Sequence, residues 1–193
     1  VLQAARDCSH CLVTLPATVE SKRCDAIAKV LSPGTWLGVV SSTSVYGDHQ
    51  GAWVTEDAEC RGSYREYEKG WEKRAENTHL RIFRSAGIYG NHASALHTVY
   101  RKGLPHSTID SNDFTNRIHI QDLSAAIRAS MLLHDKQQPD YRVYSCADDC
   151  PESRAVVLHH AAKLLQSIGV QLAAPSSRQP NDSARDRRRS KKR

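Results

Sequence analysis

Trp36-Leu37-Gly38-Val39-Val40-Ser41-Ser42-Thr43-Ser44-Val45-Tyr46-Gly47 is the stretch on which the reading of this chain turns. An uncharged apolar run without alternation describes a strand buried inside an α/β protein. It stops in consecutive hydroxyl residues. Ligands of open parallel sheets bind outside the carboxyl ends of the strands, so small hydrogen-bonding side chains at such an end are candidate ligand contacts.

Outward from this strand, strand and helix patterns alternate, as βαβ construction requires. Cys11 to Leu15 reads as a short strand stopped by Pro16. Ser21 to Leu31 places Cys24, Ile27, Ala28 and Leu31 on one helical face and ends at Ser32-Pro33-Gly34. Tyr64 to Asn77 reads as a charged helix, Leu80 to Phe83 as a strand, and Ala93 to Lys102 as a helix. Arg117 to Ile120 is a strand before Asp122, a suitable N-cap for a helix carrying Leu123, Ile127 and Met131. Tyr141 to Cys146 alternates as a strand, and Glu152 to Gly169 is an amphipathic helix. No internal repeat is present.

The 193 residues suit one folded body, expected over Val1 to Ala174, followed by a basic tail. That tail, Pro175 to Arg193, carries eight basic residues against Asp182 and Asp186 and accounts for the whole formal charge of +6. The body is balanced, so the high pI says nothing about its partners, and nucleic acid is not expected among them. The tail itself reads as a disordered end or as a nuclear-localisation or nucleic-acid segment, and a third reading, a run cut short before a further helix, rests on a family resemblance alone. No run approaches the ~18 apolar residues that would span a bilayer, and no signal peptide is visible. Six cysteines without a secretory signal read as reduced thiols in an intracellular, cytoplasmic-type setting. Cys8/Cys11 and Cys146/Cys150 have zinc-like spacing, but each pair adjoins a strand that explains it as small buried residues, so no metal is expected.

Four segments, in this order, resemble the NAD-dependent epimerases and dehydratases, a branch of the extended short-chain dehydrogenase/reductase family. They are Ser41 to Gly47; Leu80 to Arg84 with Ile88-Tyr89-Gly90; Asn116 to Leu123; and Val143 to Pro151. The resemblance implies a Rossmann-like parallel sheet with flanking helices and a small C-terminal lobe. It also implies NAD or NADP as cofactor and a small-molecule substrate, a sugar nucleotide among the candidates, with a homodimer as the assembly to test. Hydride chemistry on a hydroxyl or carbonyl would follow. Ser42 and Tyr67 occupy the positions of the catalytic hydroxyl and the acid/base phenol. Ser41, Phe83 and Tyr89 would meet the cofactor, and Arg84, Arg117 and His119 the substrate. Four of them have a structural alternative: Ser42 satisfying loop amides, Tyr67 a helix-surface tyrosine, Arg84 an ion pair, and His119 packing to fix its strand against the next helix.

Two departures qualify the resemblance. The family's lysine, which lowers the phenol's pKa from four residues on, is replaced by Trp71. No Gly-x-x-Gly-x-x-Gly turn, which would let the backbone approach a pyrophosphate, occurs among the ten glycines. The first three strands of the family fold are therefore expected upstream of Val1, in an N-terminal extension. A non-catalytic dinucleotide-binding protein of the same fold is the competing reading.

Overall fold

The computed structural model describes residues 6–49, 51–91, 93–104, 114–133 and 141–172. In chain order the elements are β1 (His10–Val13), α1 (Ser21–Ala28), β2 (Trp36–Ser42), α2 (Ser63–Arg74), β3 (His79–Ser85), β4 (Gly87–Tyr89), α3 (Ala95–Lys102), β5 (Phe114–Thr115), β6 (Arg117–His119), α4 (Ile120–Leu132), β7 (Tyr141–Cys146), β8 (Glu152–Ser153) and α5 (Arg154–Ser167). The chain falls into two compact units, one formed by residues 1–90 and 114–151, the other by 91–113 and 152–193.

The first unit holds a four-stranded parallel sheet in the order β1-β2-β3-β7. Its central strands are hydrophobic on both sides because helices cover both faces, as all-parallel sheets require. Leu37, Val39, Leu80 and Ile82 pack with Cys24 of α1 and with Tyr67 and Trp71 of α2. Trp36 and Phe83 point the other way, onto Ile118 and onto Leu123 and Ile127 of α4. A separate two-stranded parallel ladder, β4 with β6, pairs Gly87 with Arg117, Ile88 with Ile118 and Tyr89 with His119. In the second unit Val99 of α3 packs against Leu158, Ala161, Ala162 and Leu165 of α5, which Ser153 caps through the Val156 N–H.

The α/β alternation expected from the sequence is therefore present, with shifts at the element ends. Helix α1 ends at Ala28, because the residue before Pro33 is driven out of the helical region and the last turns tighten. Leu31 still packs against the core its periodicity assigned it to. Helix α4 is capped by His119, not Asp122: the His119 Nδ1 accepts the Gln121 N–H at 3.3 Å, and Asp122 falls in the first turn, where a carboxylate favours the helix dipole. The basic tail lies outside the described residues.

Gly38 is fixed by packing. A Cβ there would run into the Trp36 ring, which lies fully buried across it and donates to Ser130 Oγ at 3.3 Å. Gly38→Ala is expected to cost about 1–3 kcal/mol by overpacking. A thermal midpoint unchanged within a degree would contradict this arrangement.

Candidate functional site

The carboxyl ends of β2, β3 and β7 carry a continuous polar network. Ser41 Oγ donates to Glu68 Oε1 at 2.6 Å, and Glu68, on α2, has no exposed surface. Arg84, at the end of β3, meets the same carboxylate side-on: Nε donates to Oε1 at 3.1 Å and Nη2 to Oε2 at 3.0 Å. Its Nη1 donates to the Tyr46 hydroxyl at 3.1 Å and to the Glu56 carbonyl at 3.0 Å, and the guanidinium lies 5.0 Å from the centre of the Tyr46 ring. Tyr46 and Ser145 share a 2.6 Å hydrogen bond, and the Ser145 N–H donates to Glu56 Oε1 at 2.7 Å.

The electrostatics follow from these contacts. Burial would push the Arg84 guanidinium down, but its bonds to Glu68 and Tyr46 outweigh burial and hold it above its ordinary value. Partial burial would raise the Glu56 carboxyl, yet the Ser145 N–H and the nearby Arg84 charge hold it below its ordinary value. Glu56 therefore stabilises the fold fully above the ordinary carboxylate range, and that contribution fades as pH falls through its lower folded value.

Ser42 sits at the edge of this network on the opposite face of β2 from Ser41. Its Oγ accepts the Ser44 N–H at 3.1 Å and so starts a 3₁₀ turn over Thr43–Tyr46. A hydroxyl has one donor and two acceptor sites, so a Ser42 that accepts from Ser44 still has its own hydrogen to give.

The ladder β4/β6 brings together a second group. The Tyr89 and His119 rings meet edge to face at 5.1 Å. With Nδ1 accepting from Gln121, the neutral His119 carries its proton on Nε2. Arg117 Nη2 donates to the Cys150 carbonyl at 3.2 Å, and its Nε is 4.0 Å from Asp148.

Four expected site residues lie inside the protein, Ser41 among them, its hydrogen spent on Glu68. Tyr67 is 9% exposed; its phenol donates to the Leu15 carbonyl at 3.1 Å, and its ring stands edge-on to Trp71. Burial pushes that phenol up, and the Trp71 indole lowers it only in part. Phe83 is buried and stacked on Tyr144 at 5.2 Å. Arg84 is 3% exposed, its fork occupied by Glu68. Ser42, Tyr89, Arg117 and His119 retain accessible surface but do not line the cleft of about 430 Å³, which lies beside Glu56, Cys60, Arg65, Arg84 and Tyr141.

Glu68 and Glu56 escaped the sequence reading. Glu68 was legible in principle: with Tyr64, Tyr67 and Trp71 it completes an i, i+3, i+4, i+7 face, so its carboxylate had to point inward. Glu56 gave no such signal, because its partners Arg84 and Ser145 are 28 and 89 residues away.

No family model matches the sequence, and no curated protein matches it significantly. Solved structures do. A conserved protein of unknown function from Silicibacter pomeroyi is 26% identical with a TM-score of 0.68, over 93% of this chain and 65% of that one. A protein assigned as an NAD-dependent epimerase/dehydratase from Methylobacillus flagellatus is 25% identical with a TM-score of 0.59, over 82% and 55%. UDP-glucuronic acid 4-epimerase from Bacillus cereus, solved in complex with NAD, is 16% identical with a TM-score of 0.66, over 90% and 64%, a likeness of fold alone. The chain thus spans less than two thirds of the length of these structures. Its parallel sheet and flanking helices are those of the NAD-dependent epimerase/dehydratase fold.

Proposed function

We propose that this chain forms the nicotinamide- and substrate-facing part of an NAD(P)-binding epimerase/dehydratase-like protein acting on a hydroxyl or carbonyl of a small substrate of the sugar-nucleotide type. The observation that carries the reading is the end of β2, where Ser42 keeps a free donor at the carboxyl edge of a parallel sheet. Ser42 would give that hydrogen to the reacting oxygen. Tyr89 would lie on the cofactor side, and Arg117 and His119 Nε2 would offer donors to an anionic or hydroxylated substrate.

The fit to a dinucleotide is divided. Hydroxyl and aromatic side chains at strand ends suit a nicotinamide ring and its ribose, and bound NAD(P) would supply hydride chemistry there. No glycine grouping in these 193 residues suits the pyrophosphate. No step through the cofactor is derived from this chain. The fold supports the binding reading, and the neighbours that carry NAD and UDP-sugars extend it by analogy.

A second reading, dinucleotide binding without catalysis, is favoured by Tyr67. A phenol committed to the Leu15 carbonyl, with an indole where the family has its lysine, is poorly placed to exchange protons. The two readings separate when NADH and NADPH are titrated into protein expressed from its whole reading frame and turnover is compared in wild type and Tyr67→Phe. Turnover that survives Tyr67→Phe within about threefold supports an enzyme that works through Ser42. Its loss by the ~10²-fold or more typical of a missing acid/base group restores Tyr67 as catalytic. Binding without turnover selects the second reading, and no binding rejects both.

A further inference from the structure

The loop from Gly51 to Gly62 is joined to the sheet in an unusual way. Most of its residues are exposed, and Trp53 presents 74% of its surface to solvent. The loop places no residue in the buried cores of the first unit. Both ends are glycines with positive φ, +83° at Gly51 and +86° at Gly62, backbone that other residues rarely adopt. Internally it is braced by short-range bonds, Ala58 N–H to the Thr55 carbonyl at 3.1 Å and the Cys60 thiol to the Ala58 carbonyl. Near its end, the Arg61 N–H donates to the Val45 carbonyl at 2.7 Å.

Between these ends one residue reaches the strand ends, and it does so twice. The Glu56 carbonyl accepts from Arg84 Nη1, and its carboxylate accepts the Ser145 N–H. Ser145 lies on β7, which pairs only with β3 among the described residues, so this amide faces away from the ladder and has Glu56 as its partner. Arg84 does not depend on the loop for its position, because Glu68 already holds it through two donors. The anchor is therefore held without the loop, whereas the loop meets it through the polar bonds of Glu56. Segments with few buried apolar contacts and glycine ends open at low free energy, and their hold on the fold is the sum of a few polar bonds.

We propose that residues 51 to 62 form a strap over the carboxyl ends of β3 and β7, hinged at Gly51 and Gly62 and latched by Glu56. In the closed state the strap covers Arg84 and the Ser145 amide. When the latch breaks, the strap swings away with the Glu68–Arg84 pair intact and these two donors meet solvent. The charged partners facing the latch are Arg84 and, through it, Glu68; Cys146 lies close enough for Glu56 to raise its thiol. This inference stands independently of whether the protein turns over a substrate.

Amide hydrogen exchange of the whole protein, without ligand, tests it in wild type, Glu56→Ala and Glu56→Gln. In Glu56→Ala the Ser145 amide is expected to exchange about tenfold faster, as loss of one charge-assisted bond implies, while Val39 and Ile82 in the core strands keep wild-type rates. Glu56→Gln recovers most of the protection, because its amide oxygen still accepts. A fast component in the fluorescence anisotropy decay of Trp53, the exposed indole beside buried Trp36 and Trp71, should grow in Glu56→Ala only. An unchanged Ser145 rate in Glu56→Ala overturns the latch. Equal acceleration at Val39 and Ile82 overturns it as well, since the loss would then be global.

Discussion

Glu68→Ala should unfold this protein more readily than any surface substitution on the same helix. Arg84 is charged, 3% exposed and bound side-on by the Glu68 carboxylate, while Ser41 spends its hydrogen on the same group. Removing Glu68 leaves a guanidinium stranded in the interior, a change that typically costs about 3–5 kcal/mol. For a chain of this length that corresponds to a fall in thermal midpoint of roughly 10 °C. Glu68→Gln keeps the shape without the charge and should fall between. The double variant Glu68→Leu/Arg84→Met should recover much of the loss, because the penalty lies in the unpaired charge more than in the missing bond. A Glu68→Ala protein within 1 kcal/mol of wild type in urea denaturation would show that the pair is hydrated.

Trp71→Lys restores the family's spacing, an ammonium four residues after Tyr67, and is expected to destroy the fold without creating a catalyst. Trp71 is fully buried among Leu37, Val39, Ile82 and Tyr67. Losing a core tryptophan costs about 3–5 kcal/mol. An ammonium in its place, among apolar side chains, adds a further desolvation penalty, for a total of roughly 5 kcal/mol or more. Circular dichroism melts and NADH turnover measured on the same preparation decide the matter. A folded Trp71→Lys variant with new turnover would mean that position 71 faces the ligand.

The framework of the first unit was readable because it rests on local rules. Trp36 to Val40 had to be a buried strand, and Cys24, Ile27, Ala28 and Leu31 had to share a face; all pack as their periodicity requires. The ends of elements were less readable, since they depend on which side chain reaches an amide first. His119 takes the cap that Asp122 was expected to hold. The division into two units, with α3 and α5 forming their own core, depends on contacts between segments far apart in sequence, which local periodicity does not report.

Site residues divide along the same line. Ser42, Tyr89, Arg117 and His119 keep accessible surface at strand ends. Tyr67 and Arg84 carry the right chemistry, but each is committed to an interior partner, Leu15 and Glu68. The spacing of Tyr67 and Trp71 was visible; that both face the core depends on the rotation of α2 against β2 and β3.

By itself, the sequence determined that strands and helices alternate, that Trp36 to Ser42 is a buried strand ending in hydroxyls, and that Trp71, not lysine, stands four residues after Tyr67. Those properties follow from residue type and short-range order. Only the tertiary structure decided which of the polar groups at that end are spent. Ser41, Glu68, Arg84, Tyr46, Ser145 and Glu56 come from five separate segments, and a charge becomes structural or available according to whether folding brings it a partner before water or a ligand can.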